Sequence, residues 1–264
     1  EHVKGAIANY RCFEAGHPVP DENSFIATQA ALDSVQGLKE QDTVLFLLSG
    51  GGSALFEKPL ISGEELQDIT KQLLASGADI TEMNTIRKRL SAVKGGRFAE
   101  LCSPAKVYCI VLSDILGDPL DMIASGPAYP DSSTKEDAFA IVKKYHLILT
   151  DHANELLRQE TPKVLTNVET VITGSVRELC RAAEKAAGDC GYETVFLTDH
   201  LDCEAKEAGA FMGDIALSHQ NVKRSTAYIV GGETVVHLKG HGRGGRNQEL
   251  ALSAAEHLDT CYNK

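Results

Sequence analysis

The sequence predicts an α/β fold: mainly parallel sheets covered by helices on both faces. Two observations carry this. Short apolar runs alternate with longer amphipathic stretches, and the polar, Gly-rich loops fall directly after several of those runs. The runs at 44–48, 107–112, 168–173, 194–197 and 227–230 read as buried strands. Between them, 63–76, 81–102, 134–145, 175–190 and 203–219 have helical spacing and composition. Ser175 stands three residues before Glu178, which is a helix-start signature. Ligands in such sheets gather at the carboxyl ends of the strands, among loops and helix N-termini.

Composition supports a buried core, since 43% of the 264 residues are hydrophobic and 24% are charged. No apolar run approaches the roughly 20 residues of a membrane span. The first residues also lack the basic start and apolar stretch of a signal peptide. A net charge of −11 argues against nucleic-acid partners and requires any anion site to be built locally. The seven cysteines have no Cys-x-x-Cys pair, so they read as reduced structural thiols in a cytoplasmic protein, with Cys109 in the core. Neither His237 nor His241 has zinc-ligand spacing with a cysteine. Polar residues cluster at 218–224, which marks a boundary between a 1–218 domain and a 223–264 domain.

Four segments can carry chemistry. After the first apolar run come Ser49, Gly50, Gly51, Gly52 and Ser53, then a helical pattern. Glycines allow a backbone to approach a phosphate or carboxylate closely, and Ser53 can add a hydroxyl donor. The Gly-Lys-Ser/Thr ending of a Walker A loop is absent, and a tight β–α turn without a ligand is the plain alternative. In the second segment Asn84, Arg87 and Ser91 share a helical face that Lys94 continues, ending in Gly95 and Gly96. Such a stripe either lines an anion pocket or is a solvated basic face. The third segment sets Asp114 directly after a strand, with Asp118 close by. There a carboxylate can hold Mg²⁺, activate a hydroxyl or simply cap a turn. In the fourth, Gly231, Gly232 and Glu233 read as a hairpin turn. A Gly-rich loop follows, with Arg243, Arg246 and Asn247, able to clamp phosphate oxygens or to remain a flexible surface loop.

Taken together, these segments resemble the glycerate 2-kinase family with a MOFRL-type C-terminal region. The resemblance also rests on Glu14-Ala15-Gly16-His17-Pro18-Val19-Pro20-Asp21 and Ala124-Ser125-Gly126-Pro127, with the matching stretches in family order. It implies two α/β domains, 1–218 as the glycerate kinase N-terminal domain and 223–264 as the MOFRL-type domain, with the active site in the cleft between them. It implies ATP, a divalent metal (Mg²⁺), and (R)-glycerate converted to 2-phosphoglycerate, with homodimerisation as one option for the assembly. On that reading the 49–53 loop, Gly95, Gly96, Glu233 and Asn247 bind the nucleotide, with ATP phosphates favoured on the loop. Asn84 and Arg87 bind glycerate. Lys94 and Arg246 neutralise the transferring phosphoryl group from opposite sides of the cleft. Asp114 holds Mg²⁺, with Asp118, or orients the 2-hydroxyl. Family members also carry a Gly-Lys-Ala segment and a Thr-Asp-Gly motif, and neither stands in this sequence. Some members carry the name hydroxypyruvate reductase, although no Gly-x-Gly-x-x-Gly dinucleotide fingerprint is present. A non-catalytic nucleotide or metabolite binder is the remaining alternative.

Overall fold

The computed structural model describes residues 8–113, 117, 119–221, 223–237, 240 and 242–259. By contact density the chain divides into two compact units, the second beginning at Gly174 and also taking in Gly117. The polar stretch at 218–224 lies inside the second unit, between a helix and a strand.

In the first unit a three-stranded sheet is built from β1 (Thr43–Leu48), β2 (Lys106–Leu112) and β3 (Val168–Gly174), in that order. β1 and β2 run parallel, from Thr43 opposite Lys106 to Leu48 opposite Val111. Helices α1 (Glu22–Ser34), α2 (Gly52–Leu55), α3 (Gly63–Ala75), α4 (Ile80–Arg89), α5 (Arg97–Leu101), α6 (Lys135–Tyr145) and α7 (Asp151–Leu157) complete it, with a 3-10 turn at Ile123–Ser125. Several helices start at side-chain caps: Asp21, Asp79 and Thr134 close reciprocal capping boxes, and Ser62 and Thr150 cap their helices singly.

Two cores hold this unit. Ile69 and Leu73 of α3 pack with Ile86 of α4, Leu90, Ala138 of α6 and Leu157 of α7. Burying each large side chain there contributes about 1.5–3 kcal/mol. Beneath the 49–53 loop, the rings of Phe46, Phe56 and Phe98 meet at centroid distances of 4.8–5.4 Å. They tie β1, the end of α2 and α5 into one support.

The sheet departs from the expectation of two covered faces. Val44, Phe46, Val107, Cys109 and Val111 point inward, whereas Leu45, Leu47, Leu112 and Val171 remain exposed. A continuous apolar run reads as a strand buried on both sides. Burial of the second face depends on what packs there, which a run cannot encode.

The second unit pairs β4 (Glu193–Glu204) with β5 (Thr226–Val235) in parallel, and α8 (Val176–Asp189) lies against both strands. α9 (Ala205–Ser218) and α10 (Arg246–Asp259) pack through glycines: a Cβ on Gly209 would sit 2.2 Å from the Leu250 carbonyl oxygen, and one on Gly213 would sit 2.8 Å from His257. The hairpin expected at 231–233 is not formed. β5 runs straight through it, and Leu201 and Asp202 of β4 pair with Gly232 and Glu233. A glycine pair signals a turn only when the flanking runs pair with each other, and here both pair with β4.

The six described cysteines are all free thiols, and burial pushes Cys102 and Cys109 up to about 11. Among the described residues no helix is long and apolar enough to cross a membrane.

Candidate functional site

The single helix expected over 81–102 is two. α4 stops at Arg89, and Gly96, at φ 87°, opens α5. Between them Ser91 bridges to Pro59, so Ser91 and Lys94 leave the face that Asn84 and Arg87 share. Gly95 and Gly96 answer a geometric demand: both take positive φ, and their amides donate to the carbonyls of Ser125 (3.0 Å) and Gly126 (2.7 Å). These amides are spent on the protein, so they are not free to donate to a nucleotide.

This docking brings Ala124, Ser125 and Gly126 against the 49–53 loop, all three with positive φ. For Ala124 and Ser125, which are not glycine, that conformation costs energy the surroundings must supply, a pattern common at functional sites. Contact with the loop is close, since a Cβ on Gly52 would lie 2.6 Å from that of Ala124. Ser53 Oγ lies 3.2 Å from Ser125 Oγ, and buried Ser125 donates to Asn84 Oδ1 at 3.0 Å. Asn84 is also buried and turns its amide nitrogen to the Met122 sulfur at 3.7 Å.

The cations sit under the same loop. Lys94 is fully buried; its ammonium donates to the Ser53 carbonyl at 2.8 Å and lies 3.4 Å from Glu57 Oε2. Burial is the largest influence on Lys94, and the nearby Arg87 charge adds to it. Against the attraction of Glu57, they pull its pKa down to about 8. Arg87 donates to the Ser53 carbonyl at 3.2 Å and lies 3.8 Å from Glu57. Glu57 is fully buried, and neither of its carboxylate oxygens makes a well-formed hydrogen bond among the described residues. Among the described residues, these two cations and one anion leave one net positive charge beneath the loop. Sequence reasoning missed Glu57, because nothing near it in the chain marks it as a partner of Lys94. Ser125 had a signal, since it stands in a family-like motif.

A second buried network stiffens the platform. Lys88 and Arg89 of α4 lie 3.1 and 3.7 Å from Asp131, to which Thr161 also donates. Burial works against the Asp131 charge, yet Lys88 and these hydrogen bonds hold its carboxyl below the ordinary range.

The second unit holds a cavity of about 880 Å³ lined by Val176, Leu179, Cys180, Tyr228, Glu233, Arg246 and Asn247, among others. Arg246, the first residue of α10, is half-exposed, pairs with Glu233 and donates to the Thr234 carbonyl at 3.1 Å. Apolar walls with a few polar groups at one side are the usual make-up of a small-molecule pocket. Asp114 and Asp118 lie outside the described residues. Among the described residues, no group of three or more His, Cys, Asp or Glu side chains is placed to hold a metal ion.

The model of the domain of unknown function DUF4147 matches residues 1–158, and the MOFRL family model matches 226–263. The chain is 54% identical to the D-glycerate 2-kinase of Thermotoga maritima, over 98% of this chain and 63% of that one. It is 41% identical to a putative hydroxypyruvate reductase of Agrobacterium vitis, over 94% of this chain and 68% of that protein. A crystal structure of glycerate kinase from Thermotoga maritima superposes with a TM-score of 0.91, covering 97% of this chain and 64% of that one. The chain thus spans less than two thirds of the length of the Thermotoga enzyme. With the family-model match covering more than half of the sequence, and these relatives matched over nearly all of it, the chain belongs to the glycerate 2-kinase family.

Proposed function

We propose that this chain forms part of an ATP-dependent kinase that phosphorylates the 2-hydroxyl of (R)-glycerate, giving 2-phosphoglycerate and ADP. The observation that carries this reading is the 54% identity to a D-glycerate 2-kinase across almost the whole chain. Phosphoryl transfer asks a protein to position groups and to stabilise charge, with little covalent chemistry of its own. The first unit supplies a rigid, net-positive cradle in the 49–53 loop. The second unit, taken by itself, holds Arg246, half-exposed and paired with Glu233 beside a cavity, a cation of the kind that neutralises phosphoryl charge. Glu233 and Asn247 are among the polar residues that line that cavity. Mg²⁺ enters with the nucleotide as part of the MgATP substrate, where it screens phosphate charge.

Lys94 takes a role different from direct phosphate contact: buried and bonded to the Ser53 carbonyl, it holds the loop in shape. The domain reading is a 1–218 glycerate kinase domain and a 223–264 MOFRL-type domain in the cytoplasm, with a homodimer as the assembly to test.

The deciding experiment is ADP release from MgATP and glycerate, with NMR identification of the product. ADP with 2-phosphoglycerate is expected. Phosphate on the 3-hydroxyl would revise the position, and absence of ADP would overturn the kinase reading. The name of the Agrobacterium relative makes NADH oxidation with hydroxypyruvate the assay to run beside it.

A further inference from the structure

The hydrogen bonds around Ser53 have a direction. A thioether sulfur can only accept, so the Asn84 atom facing Met122 is its NH₂ group, and Oδ1 must face Ser125. That oxygen also only accepts, so the single hydroxyl proton of Ser125 is committed to Asn84. In the contact between the two serines, Ser53 is therefore the donor and Ser125 the acceptor. With its proton turned inward, half-buried Ser53 presents lone pairs to whatever enters the loop. The expectation that Ser53 donates to a phosphate is thereby reversed. Phosphate oxygens of a nucleotide at neutral pH are acceptors, and an acceptor facing lone pairs is repelled.

The ligand that fits must meet two demands: a negative charge, to match the net positive Arg87, Lys94 and Glu57 group, and a hydroxyl, to donate to Ser53. We infer that Ser53 accepts a hydrogen bond from a hydroxyl of the hydroxy-acid substrate, and that Ser125 is the positioning residue that sets this polarity. This rests on the kinase reading above and deepens it: the 49–53 loop is the acceptor-substrate site, and the nucleotide phosphates bind elsewhere. Ser125 itself touches no substrate. Its strained φ of 61° is the cost of delivering Oγ to both neighbours.

Calorimetric titration of the chain with glycerate, with propionate (which lacks both hydroxyls) and with MgATP tests this without requiring turnover. Ser53→Ala is expected to weaken glycerate binding about 10-fold, leave propionate unchanged, and leave MgATP within about twofold. Ser125→Gly relieves the positive φ but leaves the buried Asn84 Oδ1 without its donor, so a modest fall in melting temperature is expected while the chain still folds. It should still weaken glycerate several-fold, because Ser53 is then free to turn its proton outward. The inference is overturned if Ser53→Ala weakens MgATP and spares glycerate, if the unaltered chain does not bind glycerate, or if it binds propionate as tightly. The kinase reading fails separately: no ADP forms although this binding pattern holds.

Discussion

The loop site of the first unit and the cavity of the second treat charge in opposite ways. Beneath the 49–53 loop, Lys94 and Glu57 are fully buried, Arg87 is nearly so, and each polar head is turned toward the protein. In the second unit, Arg246 and Glu233 are both about half-exposed at the cavity wall. Buried charge is expensive unless it is paired, so the first arrangement is rigid and intolerant of change. Exposed charge costs little to keep and little to lose, so Arg246 is free to meet a ligand. The contrast predicts that Lys94 serves shape and, on the proposed function, that Arg246 serves chemistry.

Substitution can separate the two. Lys94→Met should cost about 3–5 kcal/mol, because it strands Glu57 in the interior with only the more distant Arg87. Chemical denaturation measures it, and a loss below about 1 kcal/mol would show that the buried pair does not brace the loop. Arg246→Ala should lower turnover roughly 100-fold or more while shifting stability by less than about 1 kcal/mol. Normal turnover in that variant would remove Arg246 from the mechanism and dissolve the contrast.

A smaller effect sharpens the comparison. Gly96→Ala forces a side chain into φ 87° and against the Tyr129 carbonyl at 3.1 Å, so a loss of about 1–3 kcal/mol is expected. An unchanged melting temperature would mean that the docking of 95–96 onto 125–126 is not what positions the loop.

The smallest expected effect is a slope. Lys94 releases its proton near pH 8 in the folded chain and near 10.5 when unfolded. Between those values the unfolded chain binds more protons, so stability gained from this group rises with pH. Below pH 8 the full cost of burying the charge is present, and above 10.5 the slope vanishes. The rise is at most about 1.4 kcal/mol per pH unit, and it should be missing from Lys94→Met. Equal slopes in the two proteins would mean that Lys94 titrates at its ordinary value.

Much of this was legible before any coordinates. The five strands fall where the apolar runs stand, and Ser175 does cap α8 through the Glu178 amide. The family resemblance, carried by motifs in order along the chain, agrees with the comparisons. Other features were illegible for identifiable reasons. The break at 90–96 was hidden because Ser91, Ala92 and Val93 continue a helical pattern, and only the positive φ of Gly95 and Gly96 ends it. α1 and α7 were missed because each is short or weakly patterned.

By itself the sequence determined the α/β class, the strand positions and the family. Those properties are local, written in periodicity and in contiguous motifs. The tertiary structure alone decided which partner each polar group has. Glu57 meets Lys94, and Ser53 meets Ser125, across 37 and 72 residues of chain. Hydrogen-bond direction and the cost of burial arise only when such distant groups share one small volume, and no pattern along the chain records that meeting.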